Sequence, residues 1–288
     1  MSRLEAKGLT YTYSQGTPFE RTAIKDINFT LEEGSFVGLI GHTGSGKSTL
    51  VQHLNGLMKP TAGQVLLDGE DIWAKPNEIR RIRFLVGLVF QYPEYQLFEE
   101  TVYKDIAFGP LNMGLSEQEV DQNVREAASL VGIGKELLER SPFELSGGQK
   151  RRAAIAGVMA MKPRVFVLDE PTAGLDPQGR DEILQRVQQY QKRENATVLL
   201  VSHSMEDVAR RADSVLVMSR AELVERGPVE QVFGFDSELP AIGLAVPQVT
   251  SIFNALGRRG LPVTPTFTVE DGVRQLTALF EQRGVTGC

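Results

Sequence analysis

The sequence predicts an α/β fold built on a parallel sheet, and three observations carry that prediction. Short apolar runs at Phe36 to Ile40, Val165 to Leu168, Val198 to Val201 and Val215 to Met218 have the length of buried strands. The segment DEILQRVQQYQKRE, between the second and third runs, repeats Ile183, Val187 and Tyr190 at helical spacing. The first run ends in a glycine-rich loop, GHTGSGKSTL, that opens into a helix pattern. Strands alternating with crossover helices make a parallel sheet.

The elements follow in order. The first 35 residues alternate apolar and polar, as in LEAKGLTYTYS and AIKDINFTLEEG, which predicts strands with one wet face. Glu33-Gly34 marks a turn before the first buried strand. The apolar run FLVGLVF ends at Gln91. Residues 110 to 145 are polar and helical, with Val120, Val124, Ala127 and Leu130 on one stripe, and read as a helical insert between two α/β halves. After Gly227-Pro228 the composition shifts, with Pro240, Pro247, Pro262 and Pro265 around two short helical pieces near 247–259 and 270–283. That tail carries no cluster of chemical side chains and reads as a small appendage.

Composition excludes several classes. Hydrophobic residues at 41% and charged residues at 24% rule out a disordered or collagen-like chain of 288 residues. The longest unbroken apolar-or-glycine stretch, Ala153 to Met161, is far short of the ~18 residues a membrane span needs. MSRLEAKGLT has no apolar core of a signal peptide. Cys288, the only cysteine, fits a reducing compartment and reads as an inert terminal thiol. A net charge of −6 argues against a dedicated nucleic-acid binder. The basic clusters Arg80, Arg81, Arg83 and Lys150, Arg151, Arg152 read as solvated helix faces.

Three motifs carry chemistry. Gly41 to Ser48 matches GxxxxGK[ST] between a strand and a helix. Its glycines let backbone N–H groups converge on phosphate oxygens at a helix N-terminus. Lys47 is placed for the β- and γ-phosphates and the Ser48 hydroxyl for Mg²⁺. The strand Val165 to Leu168 delivers Asp169 and Glu170 at its C-terminal end, where α/β sheets bind ligands. Asp169 suits Mg²⁺, and Glu170 suits orienting and polarising the attacking water. Finally, Leu145-Ser146-Gly147-Gly148-Gln149 opens a helix, a second place where N–H groups can meet an anion.

With this third motif the chain resembles the ABC-type ATPases. The resemblance implies a P-loop NTPase core of ABC type over residues 1–230. It also implies an antiparallel β subdomain, a helical subdomain at about 92–160 and a C-terminal extension over 231–288. It implies ATP and Mg²⁺ as ligands. Gly41, His42, Thr43, Gly44, Ser45, Gly46, Lys47, Ser48 and Thr49 form the nucleotide loop, although His42 and His53 match no chemical role of their own. Ser146, Gly147, Gly148 and Gln149 of one subunit complete the site of another in a head-to-tail dimer. By the same resemblance Gln91 contacts Mg²⁺ and water, His203 contacts the γ-phosphate, and Asp176 lies in the loop that crosses the dimer interface. Tyr13 matches the aromatic that stacks on adenine, with Tyr11 as the competing choice.

The segment FQYPEYQLFEETVYKDIAFGP narrows the resemblance to energy-coupling-factor (ECF) transporters of vitamins and metals. GTPFERTAIKDINF and GHTGSGKSTL look like their second, A-prime ATPase. The resemblance implies a heterodimer with a second, non-identical ATPase, docked on a transmembrane coupling subunit. Interchangeable membrane substrate-capture subunits supply specificity. Nucleic acid has no part, and the chain sits peripherally on the cytoplasmic face of the cell membrane through its partners. Tyr92, Tyr95, Leu97 and Phe98 offer apolar anchors for docking, and Glu94, Glu99 and Glu100 offer acidic acceptors. In the tail, Leu239, Ile242, Leu244, Val249, Ile252, Phe253 and Leu256 read as an apolar contact face for dimerisation. A homodimeric motor for nickel or cobalt uptake is the nearest alternative. A soluble ABC ATPase is disfavoured, because no long coiled-coil insert separates Lys47 from Leu145.

Overall fold

The alternating N-terminal pattern forms two strands, β1 (Leu4–Tyr13) and β2 (Arg21–Leu31), paired antiparallel in a computed structural model that describes residues 4–282. β3 (Phe36–Gly41) is buried throughout and leads through the glycine loop into the helix Lys47–Leu54. β4 (Ala62–Leu67) and β5 (Glu70–Asp71) then return to the first pair, giving an antiparallel sheet in the order β2-β1-β4-β5. The run FLVGLVF is divided. Phe84 and Leu85 close the helix Ile79–Leu85, and only β6 (Val86–Val89) is a strand. β7 (Val165–Asp169), β8 (Thr197–Val201), β9 (Ser214–Ser219) and β10 (Glu222–Pro228) complete a second sheet in the order β10-β9-β3-β8-β7-β6. Its strands are parallel except β10, which pairs antiparallel with β9.

Side chains alternate across the parallel sheet with period two. Val37, Leu39, Val167, Leu199 and Val201 face the antiparallel sheet and pack with Leu4, Leu9, Ile24 and Ile27. Phe36, Phe166, Leu168, Val198 and Leu200 face the other way, into a helical layer. That layer holds the predicted helical insert, as the helices Val102–Asn112 and Glu117–Leu130. Val120, Val124 and Ala127 are buried there, as the stripe requires. The helix Gly147–Met159 lies with them, and the crossover helix Pro177–Glu194 buries Ile183, Val187 and Tyr190. The Tyr190 ring meets Phe166 edge-on, centroids 5.4 Å apart.

The tail forms the helices Gln248–Arg258 and Val269–Gln282, close to the predicted pieces. Its expected contact face is corrected by the packing. Leu239 and Leu244 are buried in the chain's own core, against Ile40, Met205 and Val208. Phe253 is buried against Val263 and Leu279. These side chains are spent inside the chain, and among the described residues the large exposed apolar side chains of the tail are Ile252, Val269, Val273 and Phe280. Sequence spacing gives an apolar stripe but not the element that covers it. Among the described residues no helix is long and apolar enough to cross a membrane. Cys288 lies outside the described residues.

Candidate nucleotide site

Parallel strands end on one edge of a sheet, so the loops after β3, β6, β7 and β8 gather there. They line a cleft of about 370 Å³ whose walls include Tyr13, Arg21, Thr43, Gly44, Lys47, Ser48, Gln91, Glu170 and His203. The loop after β3 turns on Gly46, whose φ of 105° and whose closeness to the Ala23 carbonyl leave no space for a side chain. Lys47 begins the next helix. Its buried ammonium donates to the carbonyls of Gly41 (2.7 Å) and His42 (3.0 Å). Burial pushes its pKa down, against the charges of Glu170 and Asp169.

Asp169 ends β7, nearly buried, and its carboxylate accepts from the Ser48 hydroxyl. Burial raises its pKa, opposed by that hydrogen bond and by Lys47 and His203. Glu170 follows with φ at 50°, a left-handed conformation unusual away from glycine, and its N–H donates to the Val201 carbonyl (3.0 Å). Its Oε1 lies 2.5 Å from His203 Nε2. Burial raises the Glu170 pKa, His203 opposes, and Asp169 adds to the rise.

The residues present fit a nucleotide with Mg²⁺. The Ser45 hydroxyl is buried within the loop without a protein partner, which suits a ligand oxygen. Ser48, Gln91 and Asp169 supply a hydroxyl, an amide and a carboxylate, a hard oxygen set of the kind Mg²⁺ takes beside phosphates. Tyr13, 38% exposed, stands at the mouth. Its hydroxyl lies 3.2 Å from Thr49 Oγ1, and its ring meets Tyr11 edge-on. Tyr11 packs inward against the core and His53, away from the cleft walls.

Other predicted site residues stand elsewhere. Ser146 to Gln149 do not line this cleft. The Ser146 hydroxyl and the Gln149 side chain form a reciprocal cap on the helix Gly147–Met159, so the Gln149 carbonyl oxygen is already engaged. Open space lies over Gly147 and Gly148. Asp176 caps the helix Pro177–Glu194 by accepting from the Gly179 N–H (2.8 Å) and is exposed. The His42 side chain turns away, with Nε2 2.8 Å from the Ile242 carbonyl, and ties the loop to the tail.

The acidic docking set also changes. Glu94 is bound through both oxygens to Arg151 (2.6 and 2.9 Å), so it is not a free acceptor. Arg151, only 3% exposed, is not on a solvated face either. Glu100 pairs with Lys104, one turn along. Tyr95 and Phe98 are exposed as expected. Beside them is a groove of about 520 Å³, walled partly by Arg80, Arg83, Phe98, Asp105 and Phe108. Asp105 was not singled out by sequence. It is a buried acid with one oxygen lacking a partner, and its signal was its place in the first turn of a helix. Arg21 was missed too, because only strand register brings it to the cleft.

Comparison with known proteins agrees with this geometry. Residues 24–173 match the ABC transporter family. The chain is 54% identical over 269 residues to the energy-coupling factor transporter ATP-binding protein EcfA2 of Caldanaerobacter subterraneus subsp. tengcongensis, covering 93% of this chain and 94% of that one. Among solved structures it resembles cbiO1 from Clostridium perfringens, part of the ABC transporter complex cbiONQ. The TM-score is 0.72 at 40% identity, covering 80% of this chain and 90% of that one. It also resembles the dimeric structure of MJ0796, a bacterial ABC transporter cassette, with a TM-score of 0.71 at 27% identity, covering 78% of this chain and 98% of that one.

Proposed function

The chain belongs to the ABC transporter family, among the ATP-binding proteins of energy-coupling factor transporters, and from that premise we propose that it works as one half of a heterodimeric ATP-driven motor. It is an ATP hydrolase coupled to transport. The observation that carries the dimer is the separation within one chain. The cleft is lined by the phosphate loop, Glu170 and His203, while Ser146 to Gln149 stand apart with open space above their glycines. A second cassette, facing head to tail, supplies the missing N–H donors.

In that complex Lys47 and the loop N–H groups hold the β- and γ-phosphates. Ser48, Gln91 and Asp169 would hold Mg²⁺, which would screen the phosphate charge. Glu170 orients water and takes its proton, and His203 holds the γ-phosphate. Tyr13 stacks on adenine, and Asp176 lies at the interface between cassettes. Most of the rate comes from positioning and electrostatics. Glu170 and His203 touch each other in this structure, so their contact has to open before either meets the reacting groups.

The second cassette is a non-identical ATPase, and both dock on a transmembrane coupling subunit through the groove beside Tyr95 and Phe98, placing the chain peripherally on the cytoplasmic face of the cell membrane. Glu99 and Asp105 take the acidic role that Glu94 cannot. Interchangeable membrane capture subunits select vitamins or other micronutrients. Residues 231–288 add to the contact between the cassettes. A homodimeric ATPase of a nickel or cobalt importer is the second reading. Tagged purification from detergent-solubilised native membranes separates the two. Co-elution of a different ABC ATPase with integral membrane proteins supports the heterodimer. Co-elution of membrane proteins with no second ATPase supports the homodimer. Recovery without any membrane protein overturns both.

A further inference from the structure

Arg21 stands directly opposite Tyr13 in the register of β1 and β2. Opposed residues of antiparallel strands project from the same face of a sheet. The Arg21 side chain therefore leaves on the side from which Tyr13 enters the cleft, and it too lines the cleft wall. Its guanidinium reaches the phosphate loop, with Nη2 3.8 Å from where a Cβ on Gly44 would stand. No carboxylate claims it. Lys25, further along the same strand, is paired with Glu222, whereas the Arg21 guanidinium has no hydrogen bond or ion pair among the described residues. Lys47, the cleft's other cation, is already bound to two loop carbonyls.

We propose that Arg21 is a nucleotide-binding residue whose guanidinium pairs with the phosphates shared by ATP and ADP. The inference rests on the nucleotide site proposed above. Tyr13 marks the base end of the cleft and Lys47 the terminal-phosphate end, and Arg21 reaches from β2, beside the strand carrying the first, to the loop that leads to the second. A planar guanidinium offers parallel N–H donors that match two phosphate oxygens, which a lysine can replace only as a point charge. An exposed, unpaired cation also raises the local concentration of a polyanion.

The test is calorimetric titration of the full-length chain with ATP and with ADP, in excess magnesium and at several salt concentrations. The variants are Arg21→Ala, Arg21→Gln, Arg21→Lys and Lys47→Ala. Arg21→Ala and Arg21→Gln should weaken both nucleotides about tenfold, the size of a lost charged hydrogen bond, with a shallower salt dependence. Arg21→Lys should recover part of the loss. Thermal melting should not change, because no folded contact is removed. Affinities within twofold of the parent in Arg21→Ala overturn the inference, as does Arg21→Gln binding as well as Arg21→Lys. A loss confined to ATP overturns the assignment to the shared phosphates. Lys47→Ala separates the two levels. If it binds normally, the nucleotide site itself is misassigned. If it loses binding while Arg21→Ala does not, only the Arg21 inference fails.

Discussion

The proposed role of Glu170 rests on how its backbone and carboxylate are held. The strand before it is wholly buried, yet its own backbone takes a left-handed conformation held by the Val201 carbonyl. Non-glycine residues held this way cost of order 1–3 kcal/mol, and such strain gathers at functional sites. The turn delivers the carboxylate to the cleft, where burial and Asp169 raise its pKa against His203 and Lys47. The base must be ionised to accept a proton. Hydrolysis should therefore fall as pH drops through this raised pKa, on an acid limb displaced upward from that of an ordinary glutamate. Glu170→Gln should keep ATP binding, lose about 100-fold or more in turnover and abolish that limb, as a steady-state pH profile would show. Unchanged turnover would remove Glu170 from its role.

Among the elements, Arg151 joins three that sequence leaves separate. From the helix Gly147–Met159 it binds both oxygens of Glu94 in the docking segment and donates to the Ala173 carbonyl in the loop after Glu170. One guanidinium thus ties the helix, the segment carrying Glu94 and the loop carrying Ala173 together. Burial pushes the Glu94 carboxyl up, but the Arg151 hydrogen bond, a backbone hydrogen bond and the Arg151 charge together outweigh it and the net shift is down. That sign means the pair's stability is present above the ordinary glutamate pKa and is lost as pH falls through the lowered one. Glu94→Ala leaves a buried guanidinium without its carboxylate. It should cost about 2–3 kcal/mol in urea unfolding at neutral pH, with a smaller difference from the parent under acid conditions. Breaking an exposed pair such as Lys104–Glu100 should leave unfolding almost unchanged.

For the whole molecule, the tail divides into a part that belongs to the cassette and a part that faces outward. Leu239 and Leu244 fill the core around Ile40 and Val208, and the Ile242 carbonyl meets His42 in the phosphate loop. The two helices beyond form a small cluster of their own around Phe253. A chain ending after Val246 should keep a cooperative thermal transition. One ending after Glu238 should lose several kcal/mol, because each large buried aliphatic removed costs about 2–5 kcal/mol. On the outer side, Val269, Val273 and Phe280 are exposed along one helix. Val273→Glu with Phe280→Glu should weaken assembly with the second ATPase, measured by sedimentation, without lowering the melting temperature. Intact assembly would assign the tail to the cassette alone.

The α/β class, the strand–loop–helix at Gly41 to Ser48 and the carboxylates of Asp169 and Glu170 were determined by local sequence. Each depends on apolar period, glycine placement and what can follow a buried strand. The two tail helices were legible for the same reason, through their period. Contacts between distant segments were not. Arg151 read as a surface cation because nothing in its neighbourhood announces that Glu94, 57 residues away, will bury with it. Leu239 and Phe253 had the spacing of a free stripe, and packing decided what covers them. Tyr13 was separated from Tyr11, and Arg21 brought beside the loop, only by the register of β1 on β2. Periodicity is a property of neighbours along the chain. Which charge is paired, which face is covered and which cation is left for a ligand are set by residues the chain brings together from far apart.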